Sequence, residues 1–523
     1  MPPVFHGQAK DRGRRGPGRQ IPSQVRDFRQ SRQLIPAFRL YAAWQLAAAL
    51  FVAFALTTPD PVWAKKKEAD NTEQTQFGDA AVGRKYHKQI IAAYGFYDND
   101  NGLATYVQRV GTELAVHAEG EDFAWLFTIL DDESINAFAT PGGYVYVTRA
   151  LLAHLNTEAQ LAAVLGHEIV HSANRHAARQ HAAASVVSSV AASIDPTAGF
   201  NLGRLFGAGL VSGYGRDMEL EADELGMKMI SRAGYDPNAM LEVLALLKAR
   251  DQYDSTGEKK DSGDRYHAML ASHPDSDRRL RELAETEKGA GAGTRDDGGD
   301  ELLRRIDGTA WSGSRSQGVV RNNQFLHEKM DFAITFPEGW EINNLPDRII
   351  GTPPDARALM QVTAVSRTTR KTKKVPVDRF LQKILSMTKW QNSRITEVNG
   401  LEAFIATAPK LNSAFGPRVG RIAAVFHGEN AFIVYGVAKD PEDHRRYDRK
   451  FSRTIESVRA LTDTDRVLAE PLVIRVVELP EDGSLADFAQ IDDVNDPDAL
   501  LRLLNGFYAG GEPKPGDRIK TIQ

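Results

Sequence analysis

Apolar residues recur at helical spacing through Leu161, Val164, Leu165, Ile169 and Val170, and Asn156-Thr157-Glu158 ahead of them offers an N-cap. A second helical run covers Asp217 to Ile230. Before both, Gly143 to Thr148 alternates as a strand does, with Tyr144 and Tyr146 set against Val145 and Val147. Past residue 330 the period becomes two: Leu359 to Val365, Ala403 to Ala408, Arg421 to His427 and Ala431 to Val437 read as strands. Phe380 to Met387 and Pro441 to Arg459 read as helices, and Val473 to Val477 as a strand opening the tail. The pattern predicts an α+β chain: a mainly helical first domain with a short sheet, then a small α+β sandwich and a compact terminal module.

The amino terminus is organised differently. Residues 1–39 are polar and basic, and Leu40 to Leu56 is an uncharged apolar run of 17 residues, marginal for crossing a bilayer. Pro59 and Pro61 end it, and Val62-Trp63-Ala64 puts small residues where a signal peptidase reads them. Residues 1–64 are therefore expected to be a signal peptide cleaved after Ala64, or else a membrane anchor. They hold nine basic and three acidic residues, so cleavage would leave 56 basic against 66 acidic, with no nucleic-acid footprint. With no cysteine, the chain has neither disulfides nor thiolate chemistry. Gln180 to Tyr214, rich in Ala, Gly, Ser and Val, reads as a flap over a cleft or as a packed hairpin. Lys288 to Asp300 (KGAGAGTRDDGGD) opens a flexible linker expected to run to residue 325.

Chemistry concentrates in His167-Glu168-Ile169-Val170-His171. Residues four apart share a helix face, so both imidazoles can converge on one ion while Glu168 reaches a water beside it. Glu219 and Asp223 are likewise four apart and begin 48 residues after His171. One carboxylate suits a metal and the other the free N–H of a ligand histidine, with Glu221 pointing elsewhere. His154, His176, His181 and His267 read as structural or surface histidines, His176 lying off the metal face on a helix continued past His171. The strand Gly143 to Thr148 is either an edge that pairs with an extended peptide or a core strand.

Several blocks together resemble the HtpX-like and CaaX-prenyl-protease family of zinc metallopeptidases (gluzincins), in its periplasmic BepA (YfgC) type. They are Ile135-Asn136-Ala137-Phe138-Ala139, Pro141 to Thr148, the histidine helix with Arg175-His176, Arg216-Asp217 with the ELEAD run, and Ser272-His273-Pro274 with Arg279. The resemblance implies a zincin-like metalloprotease domain over residues 65–287 with one zinc per chain, held by His167, His171 and Glu219. Glu168 would be the general base, Asp223 the partner of a ligand, and His273 a fourth ligand that keeps the enzyme latent. Arg279 would stabilise the oxyanion, and Asn136, Tyr144 and Tyr146 would line the substrate strand. Two departures stand out: Gly215 replaces the usual Ser, and no 34-residue tetratricopeptide period follows the domain.

Residues 326–462, opening on Phe336-Pro337-Glu338-Gly339-Trp340, look like a PsbP-like sandwich. Residues 468–523 resemble a degenerate LysM module through Leu504-Asn505-Gly506 and Lys514 to Ile519, with Glu481-Asp482-Gly483-Ser484-Leu485 replacing its usual turn. That leaves a spacer or docking use beside glycan binding. The resemblance implies a periplasmic zinc endopeptidase acting on unfolded or misassembled envelope proteins. Peptidoglycan or the outer-membrane assembly machinery would be partners of its C-terminal domains. The opposing reading is a latched chaperone or scaffold that works by binding.

Overall fold

The computed structural model describes residues 64–523 except 121–122, 180–213, 257–272, 274–275, 288–292, 296, 346, 370–371, 374, 386–388, 492–493 and 495, with backbone alone for 64–77, 256, 276–277 and 284–287. The signal or anchor segment, nearly all of the 180–214 stretch, His181 and His267 thus lie outside the described residues. Helices α1 (Ala64–Tyr94) and α2 (Leu103–Ala115) lead into strands β1 (Leu126–Leu130), β2 (Ala137–Thr140) and β3 (Tyr144–Thr148), ordered β1-β3-β2. β3 pairs parallel with β1 and antiparallel with β2, so its main chain is bonded on both sides. Of the two readings left open for this strand, an edge or a core strand, the pairing matches the second, and the edges of the sheet are β1 and β2. Gly142 and Gly143, both at positive φ, make the turn that folds β3 back along β2.

Helix α3 (Arg149–His154) is capped by the Thr148 hydroxyl, and α4 (Glu158–Ala173) by Thr157, which accepts from Gln160 N–H. Every residue of α4 is buried, which is why its apolar residues are not confined to one stripe. Helix α5 (Arg216–Arg232) crosses it at two glycines. A Cβ on Gly226 would stand 3.2 Å from the His167 backbone nitrogen, and one on Gly166 3.3 Å from Ile230. Without those side chains the two backbones come close enough for carboxylates on α5 to reach histidines on α4. Helices α6 (Asn238–Thr256) and α7 (Ser276–Glu287) complete the bundle, whose core joins Leu161, Leu165 and Ile169 to Val107, Ile129, Ile230 and Leu247.

The linker expected to reach residue 325 is corrected from Gly299 onward. Helix α8 (Gly299–Ile306) buries Leu302 and Ile306 in that same core, and β4 (Ala310–Ser312) follows. The glycine run in front of α8 hid a short amphipathic helix. Strands β5 (Val319–Arg321), β6 (Gln324–His327) and β7 (Phe332–Thr335) form a small antiparallel sheet. Beside it stands a seven-stranded antiparallel sheet, ordered β11-β12-β13-β14-β10-β9-β8. Its strands are β8 (Glu341–Leu345), β9 (Arg348–Thr352), β10 (Ala358–Ser366), β11 (Gln391–Val398), β12 (Leu401–Ser413), β13 (Gly416–His427) and β14 (Asn430–Ala438). Helix α9 (Val377–Leu385) packs on one face and α10 (His444–Glu456) on the other.

In the tail, α11 (Asp463–Leu468) precedes β15 (Leu472–Glu478), α12 (Pro497–Leu504) and β16 (Arg518–Ile522). β15 lies between β16 and β4, and Lys520, fully buried, donates to the carbonyls of Ala153 and Leu155 at 3.0 Å. The tail is packed into the unit of residues 72–523 rather than set apart as a spacer. The chain is thus mixed helix and sheet, and among the described residues no helix is long and apolar enough to cross a membrane.

Candidate metal centre

One turn of α4 sets His167 and His171 side by side. Glu219 from the first turn of α5 and His273, just ahead of α7, meet them, and one donor atom from each of the four lies within 4.8 Å of the others. His167 Nε2 is 2.9 Å from His171 Nε2, 3.2 Å from His273 Nδ1 and 3.5 Å from Glu219 Oε2. His273 Nδ1 is 3.0 Å from both Glu219 oxygens. Four ligands ~2.1 Å from one centre in a tetrahedron stand ~3.4 Å apart, so these separations fit a zinc-sized ion. Charge agrees. Three buried carboxylates, Glu168, Glu219 and Asp223, face the Arg279 guanidinium, and a divalent cation would balance the excess.

Around this quartet several groups have an identifiable neighbour. His167 Nδ1 lies 2.9 Å from Asp223 Oδ1. Arg279 in turn grips Asp223 with two hydrogen bonds of 2.6 and 2.7 Å, and its Nη1 stands 3.2 Å from Glu219. Burial pushes the His167 imidazole down, but Asp223 and Glu219 outweigh it and lift the pKa to about 9. Burial also pushes up Glu219, yet His273 and His167 hold it well below the usual carboxylate range. His171 is kept neutral by burial and by the charge of His167. Glu168 is completely buried, and neither carboxylate oxygen has a hydrogen-bond partner among the described residues. Burial raises its pKa against the pull of His273 and His167.

Residues 102–287, which contain all of these groups, match the family described as Peptidase family M48. The chain carries a Peptidase family M48 domain. Mitochondrial metalloendopeptidase OMA1 of Schizosaccharomyces pombe is 31% identical over 205 residues, 38% of this chain and 58% of its own. The beta-barrel assembly-enhancing protease of Escherichia coli is 30% identical over 269 residues, 48% of this chain and 52% of its own. The chain therefore spans about half the length of the curated relatives it matches. The solution structure of cyanobacterial PsbP from Synechocystis aligns with 28% of the chain and 96% of its own at 10% identity and a TM-score of 0.22, too low to carry an argument.

Within the family domain, His167, Glu168, His171, Glu219, Asp223, His273 and Arg279 are brought together. Tyr144 and Tyr146 instead stand against the His87 ring. Asn136 sits just before β2, buried, its Oδ1 without a hydrogen-bond partner among the described residues. Tyr146 turns away to stack on Phe138, its hydroxyl 3.1 Å from His87 Nδ1. Arg279, read as an oxyanion stabiliser, has its guanidinium engaged by Asp223 and Glu219.

Two neighbours were missed. His176, read as lying off the metal face of a continued helix, is fully buried with Nδ1 2.8 Å from His171 Nδ1. Helix α4 ends at Ala173, and Arg175 at φ 52° turns the chain back. Tyr214 lays its ring on His171 at 3.9 Å and 17°. Nothing in the sequence around Tyr214 marked it, whereas the Arg175-His176 pair did leave a signal.

Proposed function

We propose that the protein is a zinc-dependent endopeptidase of the bacterial cell envelope, acting in the periplasm on misfolded or stalled envelope proteins. The observation that carries this reading is the four-donor cluster with the unpartnered Glu168 carboxylate beside it. His167, His171 and Glu219 would hold the zinc, which when bound supplies a Lewis acid for a scissile carbonyl. Glu168 takes a proton from the attacking water and passes it to the departing amine. Asp223, fixed by Arg279, keeps His167 in the tautomer that leaves Nε2 free to bind. Arg279 would have to release Glu219 to serve an oxyanion.

An extended substrate would lie along the free edge of β2, tied to α4 by the Ser172 hydroxyl on the Thr140 carbonyl at 3.3 Å. A small recess of Ala163, Val164, Met240, Val243, Leu244 and Leu247 opens to His167 and His273, and its apolar wall is where a substrate side chain would be received on widening. The bacterial relatives' name, beta-barrel assembly-enhancing protease, supports a protease linked to β-barrel assembly, and envelope substrates are our extension of it. Residues 40–64 support export.

His273 favours a second reading. With Nδ1 at the fourth corner it fills the position water needs, as in a latched scaffold that binds envelope proteins without cutting them. Casein cleavage by the full chain, wild type beside Glu168→Gln with zinc quantified in both, separates the two. Cleavage by the wild type alone at equal zinc supports the peptidase. Zinc without cleavage in either supports the scaffold.

A further inference from the structure

The Glu219-Leu220-Glu221-Ala222-Asp223 run carries three carboxylates, and so far two have work. Glu219 joins the quartet and Asp223 meets the remote nitrogen of His167. Glu221 looks away from the centre and is a third exposed. It is nonetheless connected to it. His171 Nδ1 faces His176 Nδ1 at 2.8 Å, and His176 Nε2 faces Glu221 Oε2 at 3.5 Å. Asn174 donates to Glu221 Oε1 at 2.8 Å and Arg179 to Oε2 at 3.0 Å, which holds the carboxylate in place.

Proton counting fixes the direction of this chain. Two ring nitrogens 2.8 Å apart share one proton, so one donates and the other accepts. His171 presents Nε2 to the quartet, and a neutral imidazole that binds through Nε2 carries its proton on Nδ1. Nδ1–H of His171 therefore donates to His176, and His176 must carry its own proton on Nε2. That nitrogen is buried and has no hydrogen bond of ordinary geometry among the described residues, and the carboxylate it faces is Glu221. Tyr214 covers one face of the His171 ring.

We infer that Glu221, acting through His176, orients the remote nitrogen of His171 as Asp223 orients that of His167. All three carboxylates of one helical turn and a half then serve one centre. His176 and Glu221 are positioning residues, since neither touches the ion. The inference rests on the metal-binding reading above. An acceptor on the far N–H raises a ligand's basicity and fixes its ring, and losing one typically lowers metal affinity about 10–100-fold.

The experiment is zinc affinity by chelator competition on the full chain. It compares wild type, Glu221→Gln, His176→Ala, the double variant, and Glu221→Gln combined with Asp223→Asn. We expect each single change to weaken zinc about tenfold. The double variant should bind no worse than His176→Ala alone, because Glu221 acts only through that ring. Losses from Glu221→Gln and Asp223→Asn should add, since they sit on separate arms. The metal-free melting temperature of Glu221→Gln should match the wild type, which a merely structural role would not allow. Additive losses for Glu221→Gln and His176→Ala, or wild-type affinity in Glu221→Gln, would overturn the inference. A wild type that binds no zinc would instead overturn the metal reading itself.

Discussion

His273 sets Nε2 3.4 Å from Oε1 of Glu168, with both residues buried and neither atom hydrogen-bonded among the described residues. The histidine thus stands between the general-base candidate and the space where a water would be activated, while its Nδ1 takes the fourth corner of the quartet. Removing the ring leaves three ligands, which suffice for a catalytic zinc. His273→Ala is expected to keep its zinc and to raise casein cleavage or self-cleavage several-fold. Unchanged or lower activity at full zinc content would sink the latch.

Arg279 and Asp223 form a two-point ion pair with almost no solvent, their side chains 5% and 0% exposed. Removing one partner from such a pair leaves an uncompensated charge and costs about 3–5 kcal/mol. Arg279→Met is therefore expected to lower the unfolding free energy from denaturant titration by that much and to weaken zinc through His167. A loss below about 1 kcal/mol would mean the pair is not buried in solution.

The chemistry of this centre was legible because helices impose it. The four-residue spacings His167 to His171 and Glu219 to Asp223 needed only a 3.6-residue period to place their groups. His176 was not legible, because extrapolating that period past Ala173 ignores the left-handed turn at Arg175. The strand Tyr144 to Thr148 was found, but alternation says nothing of what lies on either side, so its central place was open until the pairing with β1 and β2 was seen. Residues 299–306 were lost to the linker because eight residues are too few for a period to outweigh the glycines ahead of them. The pairing of β4 with β15 joins positions some 160 residues apart, which no local pattern announces.

Gly226 lies where α5 touches α4. A Cβ there would stand 3.2 Å from the His167 backbone nitrogen and 3.1 Å from the Met240 methyl. Gly226→Val adds a Cβ and two methyls at that contact and must push α5 outward, carrying Glu219 and Asp223 with it. The chain is expected to stay folded by circular dichroism, lose about 1–3 kcal/mol to overpacking, and bind zinc at least tenfold more weakly. Wild-type zinc affinity would show that the helix contact does not set the ligand geometry.

His327, at the end of β6, is 4% exposed, and burial lowers its pKa to about 4 from the ordinary 6.5. The unfolded chain then takes up this proton near pH 6.5 and the folded chain only near 4. Between those values the unfolded state binds more protons, so the stability due to neutral His327 is full above pH 6.5 and falls as the pH drops below it. At pH 5.5 the loss amounts to about 1 kcal/mol. Urea unfolding at pH 7.5 and 5.5 should show His327→Gln losing about 1 kcal/mol less than the wild type over that interval. Equal losses would place the histidine in contact with water.

Leu503 on α12 belongs to the tail by sequence and to the core of the helical domain by packing. It is 2% exposed within the cluster that includes Leu161, Ile169 and Ile230. The Tyr253 hydroxyl donates to the Asp496 carbonyl at 3.2 Å, and Lys520 seals the end of α3 from the same side. A tail packed this way melts with the metal centre, whereas a tail hung on a spacer melts by itself. Leu503→Ala should cost about 2–5 kcal/mol and lower the temperature of the same transition in which zinc is released. Scanning calorimetry with a zinc-sensitive dye distinguishes the cases. A new, separate low-temperature transition, with zinc release left where it was, would mean that the tail is an independent unit after all.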